Sequence, residues 1–394
     1  MIVLQCNNLS KSYGVDTIFE NVSFVIRQGD KVGLVGPNGV GKSTLLKCIV
    51  GEETADTGIV SLGKGVRVAY LPQSISILEG DKPLIDYVLE EYSDLLKLRQ
   101  DIDKYHKKMS LPEIYNDSKK LEIVMATYSK SVELYEREGG YSFESKIRGI
   151  LIGLGFQEED FNRNLSTFSG GQKTRISLAK ILIRNPELLI LDEPTNYLDL
   201  KAVEWLEGHL MNFTGTILLV SHDRYFLDQA TNVTIELNRS GAENYPGNYS
   251  KYLILKEQRQ ETYRREYTKQ QEYIQSQEEY IRKYKAGIKS KQARGRQSIL
   301  NRLERLDKPE EYKKKAGIEF RVETGTGEKV LEVTNLSMEY PGKLLFKDID
   351  INIWKGEKVA LIGDNGTGKT TILKILAGKV SGMGEIKLGS RVKV

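Results

Sequence analysis

The chain carries one segment twice. Residues 8–51 align without a gap on residues 335–378, and 19 of the 44 paired positions are identical. The pairs include Asn8-Leu9-Ser10 with Asn335-Leu336-Ser337, Tyr13 with Tyr340, Gly36 with Gly363, and Lys42 with Lys369. A repeat at a shift of 327 residues means two copies of one domain, because solenoid repeats recur every ~20–50 residues. The second copy continues to residues 389–394, which match Gly63 to Val68. In the first copy more than 150 residues of domain follow that point (69–240), so the sequence is expected to be a fragment cut within its second copy.

The expected organisation is a first domain over 1–240 with a helical insert at about 85–138, a linker over 241–328, and the start of a second domain over 329–394. The 394 residues are 39% hydrophobic and 28% charged, which suits a soluble protein with more than one core. No apolar run approaches the ~18–20 residues of a membrane span. Two cysteines far apart, Cys6 and Cys48, exclude a disulfide framework and a cysteine-based zinc module, and point to a reducing cytoplasm.

Net charge is only +4, but it is unevenly spread. From Ser250 to Lys315 there are 19 Lys and Arg against 10 Asp and Glu, so the linker is +9 and the rest of the chain −5. Between Tyr280 and Leu303 stand eight cations and no acid. Apolar residues step by seven through Tyr267, Ile274, Ile281 and Ile288, then return as Ile299, Leu303 and Leu306. This pattern predicts a helical hairpin with its turn near Gly287 to Gly295, its first leg about 57 Å long. The tip cations Arg282, Lys283, Lys289, Lys291, Arg294 and Arg296 are candidate contacts to nucleic-acid phosphates. Arg294 and Arg296 flank a glycine, which is expected to leave their guanidinium groups unengaged.

Three motifs in the first copy point to phosphate chemistry. Gly36-Pro37-Asn38-Gly39-Val40-Gly41-Lys42-Ser43 fits G-x-x-x-x-G-K-[ST], between an apolar strand (31–35) and a helix. The glycines let backbone N–H groups close on phosphates, Lys42 reaches the β- and γ-phosphates, and Ser43 reaches Mg²⁺. Leu188-Leu189-Ile190-Leu191-Asp192-Glu193 is a buried-strand run ending in two carboxylates. Asp192 suits Mg²⁺, and Glu193 suits a general base for the attacking water. Phe168-Ser169-Gly170-Gly171-Gln172 opens a helix whose N–H groups and hydroxyl can meet an anion. A second phosphate loop, Gly363-Asp364-Asn365-Gly366-Thr367-Gly368-Lys369-Thr370, follows the apolar run Val359 to Ile362.

Taken together, these residues resemble an ATP-binding cassette (ABC) ATPase, an α/β P-loop fold, with Phe168 where the signature usually has Leu. The resemblance implies ATP and Mg²⁺ as cofactors. It makes Tyr13 and Tyr340 the aromatics that stack on adenine, Gln73 in Tyr70-Leu71-Pro72-Gln73 a ligand-sensing glutamine at Mg²⁺, Asp199 the D-loop aspartate and His222 the switch histidine. Thr44, Thr370 and Thr371 complete the two phosphate loops, Thr370 on the metal. Two cassettes joined by a basic hairpin, with Pro194 to Asp199 and Ser221 to Asp228 close to that group's wording, resemble the ABC-F proteins, although Tyr197 stands where many have His. The implied role is a cytoplasmic ATPase that acts on the ribosome near the tRNA exit site, touching rRNA and tRNA through the linker, with no membrane partner. Ribosome protection against antibiotics, a transporter ATPase subunit and a DNA-associated role are the alternatives. Each nucleotide in this family lies between one cassette's loop and the other's signature. The chain is therefore expected to bind ATP and hydrolyse it poorly, unless two copies self-associate.

Overall fold

A computed structural model of the chain describes residues 1–73, 80–285, 289–309, 328–340, 343–363, 366–390 and 392. The chain divides into two compact units, Met1–Asn248 with Thr326–Val394, and Tyr249–Gly325.

In chain order the first copy runs β1 (Ile2–Tyr13), β2 (Asp16–Arg27), β3 (Lys31–Val35), α1 (Lys42–Val50), β4 (Thr57–Leu62), β5 (Val68–Leu71), then the helices α2 (Leu84–Leu89), α3 (Ser93–Met109), α4 (Pro112–Tyr115), α5 (Ser118–Arg137), α6 (Phe143–Gly153) and α7 (Gly170–Ile183). It continues through β6 (Leu188–Asp192), α8 (Leu200–Met211), β7 (Thr216–Val220), α9 (Arg224–Ala230), β8 (Val233–Asn238) and β9 (Gly241–Pro246). A six-stranded sheet has the order β5-β6-β7-β3-β8-β9, parallel except for the β8–β9 hairpin. Every residue of β6 and β7 is buried, which explains their unbroken apolar runs: a parallel strand covered on both faces has no polar side. A separate antiparallel sheet, β2-β1-β4, has one wet face, and β2 alternates accordingly, burying Phe19, Val22, Phe24 and Ile26. Both sheets pack on α1, whose Leu45, Leu46 and Ile49 join one core with Leu4, Phe24, Ile190 and Leu218.

The basic hairpin is α10 (Tyr249–Tyr284) and α11 (Ser290–Arg302). Its legs are held by Ile274, Ala293 and Leu300, which are buried, and by polar ties, Tyr263 Oη to Asp307 O (3.0 Å) and Gln270 Nε2 to Glu304 O (2.9 Å). Two expectations are corrected. Gly295 does not bound the turn but sits inside α11, and Ile299 is 58% exposed because the buried step of the second leg is Ala293 to Leu300. Ile288 and Gly287 lie outside the described residues.

The second copy runs β10 (Lys329–Tyr340), β11 (Lys343–Trp354), α12 (Lys369–Leu376) and β12 (Met383–Leu388). Its sheet β11-β10-β12 repeats the first copy's register: Val333 pairs with Ile351 and Ile386 as Cys6 pairs with Phe24 and Val60. The run Val359 to Ile362 is not a strand, contrary to its apolar sequence; Val359 and Ile362 are 60% and 76% exposed. In the first copy the matching strand β3 is held between β7 and β8, whereas among the described residues the run Val359 to Ile362 has no strand beside it. A strand without neighbours has no ladder to join.

At the far end of the large sheet, Arg67 and Glu187 clamp the starts of β5 and β6. Arg67 N–H donates to Glu187 (2.9 Å) and its guanidinium forks onto the carboxylate (2.9–3.1 Å). Arg67 thereby holds the Glu187 carboxyl down to about 2. A carboxylate whose pKa falls on folding adds stability above its unfolded pKa, lost as pH drops toward the folded one. Both side chains are largely exposed, so screening leaves ~0.5 kcal/mol. Urea unfolding of Glu187→Gln should show a small deficit against the parent at pH 6, shrinking as pH falls from ~4.5 toward 2. A deficit independent of pH would remove the charge from the explanation.

Candidate functional site

The loop 36–41 leaves β3 and turns into α1, and its geometry admits only glycine at two places. A Cβ at Gly36 would lie 2.5 Å from Leu237 O, and one at Gly41 (φ 95°) would lie 2.3 Å from Ile18 Cγ2. Lys42 Nζ donates back across the loop to Gly36 O (2.9 Å) and Pro37 O (3.2 Å). Burial pulls the Lys42 ammonium below its ordinary value, while the charges of Glu193 and Asp192 oppose that shift.

Asp192 ends β6 and Glu193 follows it, 2% and 5% exposed. Glu193 adopts left-handed backbone angles (φ 53°, ψ 54°), unusual for a non-glycine and held by its N–H bond to Val220 O (2.9 Å). Its Oε2 accepts the His222 N–H (3.1 Å), and its Oε1 lies 3.5 Å from His222 Nε2. Asp192 Oδ1 and Oδ2, Glu193 Oε1 and Tyr70 Oη are buried without a hydrogen-bond partner among the described residues. Burial raises the Asp192 carboxyl; the nearby Ser43 hydroxyl and the Lys42 charge work against it.

These groups meet at one cavity of about 310 Å³, lined by Asn38, Gly39, Gly41, Lys42, Ser43 and Thr44 of the loop with Gln73, Asp192, Glu193 and His222. The structure therefore brings together residues spread over 185 positions (38 to 222) of the sequence. Orphaned carboxylate oxygens beside a hydroxyl suit a hard cation such as Mg²⁺, which prefers one or two carboxylates and takes its remaining ligands from phosphate and water. Among the described residues no group of three His, Cys, Asp or Glu is placed to hold an ion unaided.

Other candidates stand outside this cavity. Ser169 caps α7, accepting from Gln172 N–H (3.4 Å), while Gln172 Oε1 accepts from Ser169 N–H (2.9 Å); Ser169 and Gly170 are exposed, Gly171 half-buried. Asp199 caps α8 through Ala202 N–H (3.0 Å). Tyr13 ends β1, half exposed, its hydroxyl donating to Glu53. In the second copy Lys369 Nζ donates to Gly363 O (2.7 Å), and a Cβ at Gly368 would come within 2.9 Å of Phe346, as one at Gly41 would come within 3.0 Å of Phe19. Gly366 precedes that position with φ 82°, Thr370 and Thr371 lie in the first turn of α12, and Tyr340 is exposed; Asn365 lies outside the described residues.

On the hairpin, Arg282, Lys283, Lys289, Lys291 and Arg294 are exposed. Arg296 departs from expectation: its guanidinium donates to Gln277 Oε1 (2.9 Å) and stacks 3.9 Å from the Tyr280 ring centre, so it joins the two legs. Glu53, Lys47 and Tyr70 went unread in the sequence. Only Tyr70 had a signal, its place just ahead of Gln73.

The ABC transporter family profile matches residues 19–196 and 346–392, and a second profile of the same description matches 235–320. YdiF of Bacillus subtilis is 37% identical over all of this chain and 61% of its own length. ABC transporter F family member 2 of Arabidopsis thaliana is 35% identical over 98% of this chain and 57% of its own length. The uncharacterized ABC transporter ATP-binding protein YfmM of Bacillus subtilis is 32% identical over all of this chain and 75% of its own. A solved ATP-binding subunit of an ABC transporter is similar over 62% of this chain and 90% of its own, at 20% identity and a TM-score of 0.44. The chain belongs to the ABC transporter family of ATP-binding cassettes. It spans about three fifths of the length of the first two of these relatives. Among the described residues no helix is long and apolar enough to cross a membrane.

Burying the Asp192 charge costs the free protein stability that a cation would restore. Asp192→Asn should therefore raise the stability of the chain alone by ~1 kcal/mol in thermal melts and abolish the added shift that Mg²⁺ gives over nucleotide by itself. A melting point below the parent's would contradict this.

Proposed function

We propose that the chain is the ATP-handling portion of a cytoplasmic ABC-F ATPase that acts on the ribosome. The observation that carries the enzymatic half is the meeting of Lys42, Ser43, Gln73, Asp192, Glu193 and His222 on one cavity. The loop N–H groups and Lys42 bind the β- and γ-phosphates of ATP. Ser43, Asp192 and Gln73 would hold Mg²⁺, which offsets phosphate charge when bound. Glu193 takes a proton from the water that attacks the γ-phosphorus, the bond from that phosphorus to the bridging oxygen breaks, and ADP and phosphate leave. His222, whose backbone N–H donates to Glu193 and whose ring nitrogen lies 3.5 Å from that carboxylate, steadies it and contacts the γ-phosphate.

The signature Ser169 to Gln172, exposed at Ser169 and Gly170, serves a nucleotide held by a second loop, such as that of Lys369. Within residues 1–394 only the first copy has the glutamine, the signature, the carboxylate pair and the switch histidine. The chain by itself therefore binds ATP and turns it over slowly, unless two chains pair. Closure of two cassettes on ATP sets the angle of the hairpin, whose exposed cations meet rRNA or tRNA phosphates near the exit site.

The ribosomal half is tested by co-sedimentation across a salt series. Replacing Arg282, Lys283, Lys289, Lys291 and Arg294 by Gln should weaken pelleting and flatten the salt slope by ~0.7–0.9 log units per lost phosphate contact. Pelleting unchanged at every salt concentration would remove the hairpin from the interface.

A further inference from the structure

The strand end that carries Tyr13 is stitched to the segment just after α1. Gly51 takes left-handed angles (φ 81°), and the N–H groups of Gly51, Glu52 and Glu53 all turn back to Lys47 O, the latter two at 2.9 and 3.3 Å. This reversal sets the Glu53 carboxylate beside the last turn of α1, where it accepts the Tyr13 hydroxyl and lies 3.5 Å from Lys47 Nζ. Further ties hold the same edge. Ser12 N–H donates to Asp56 (2.7 Å), while Lys11 Nζ donates to Thr54 O (2.7 Å), pairs with Asp56 (3.6 Å) and stands 5.3 Å from the Tyr13 ring centre. The Tyr13 bond holds the Glu53 carboxyl below its ordinary value, with Lys47 adding to the effect.

The second copy lacks this device. Glu53 aligns with Lys379 or Val380, neither a carboxylate, and Met338 stands at the place of Lys11. The Tyr340 hydroxyl has no hydrogen bond among the described residues.

We infer that Glu53 is a positioning residue for the base platform, fixing the Tyr13 ring against α1 so that the first copy grips the nucleoside more firmly than the second. The inference rests on the reading of Tyr13 as the adenine-stacking residue. A half-exposed aromatic at a strand end has two free torsions, and holding them before the base arrives removes an ordering cost from binding. Because Lys47 belongs to the helix that opens at Lys42, the same carboxylate connects base recognition to the phosphate grip.

The test compares Mg-ATP with Mg-tripolyphosphate, which has the phosphates but no base, by calorimetry on the full chain carrying Lys369→Ala so that only the first site reports. Tyr13→Ala should weaken ATP about tenfold and leave tripolyphosphate within about twofold. Glu53→Ala should weaken ATP about fivefold, again sparing tripolyphosphate, and Glu53→Gln, which keeps an acceptor for the hydroxyl, should recover most of the loss. If Glu53→Ala weakens both ligands equally, its role is to support α1, and the inference is overturned. It is also overturned if Tyr13→Ala selectively weakens ATP and Glu53→Ala does not. If Tyr13→Ala itself leaves ATP binding unchanged, the reading of Tyr13 fails and the inference falls with it.

Discussion

Two carboxylates buried at the end of one strand, with no hydrogen-bond donor among the described residues for three of their four oxygens, are the feature to which the rest of the first cassette is arranged. Such a pair is costly unless a cation or a set of donors meets it. Strand β6 holds Asp192 in place by pairing with β5 and β7 on either side, and Val220 on β7 fixes the strained turn at Glu193. Lys42, itself depressed by burial, faces the pair from the neighbouring loop. Positive and negative groups thus share one cavity without direct neutralisation between them, an arrangement suited to a ligand that carries both a metal and phosphates.

The cassette also shows what a phosphate loop needs from a sheet. In the first copy the loop is launched from β3, clasped between two parallel neighbours contributed by residues nearly 200 positions later. In the second copy the antiparallel sheet and α12 form with their own small core of Val333, Leu336, Phe346 and Ile372, and the close glycine–phenylalanine approach is repeated. The approach segment stays unpaired. Local sequence therefore suffices for the antiparallel half of the cassette, where all three strands lie within 60 residues (329–388), but not for the parallel half.

The same distinction explains what could be read in advance. The loop of Lys42, the carboxylates after β6 and the helix cap at Ser169 are written in contiguous residues with fixed spacing, so their places in the fold were legible in advance. Gly295 looked like a turn because glycine usually breaks helices; packing of Ala293 and Leu300 against α10 overrode that preference. Arg296 looked exposed because its neighbour is glycine, yet helix register turns it onto Gln277 and Tyr280. Glu53 carried no motif at all. Its role follows from a left-handed glycine two residues earlier and from a strand 40 residues before it, which only the folded chain brings together.

The central claim is that Lys42 and the Asp192–Glu193 pair hold a metal-bound triphosphate. It is tested most directly by ATP titration of the Lys369→Ala chain in Mg²⁺ and in EDTA, with Lys42→Ala alongside. The account predicts binding that weakens at least about tenfold in EDTA and is lost with Lys42→Ala. ATP affinity indifferent to both the metal and the lysine would contradict it.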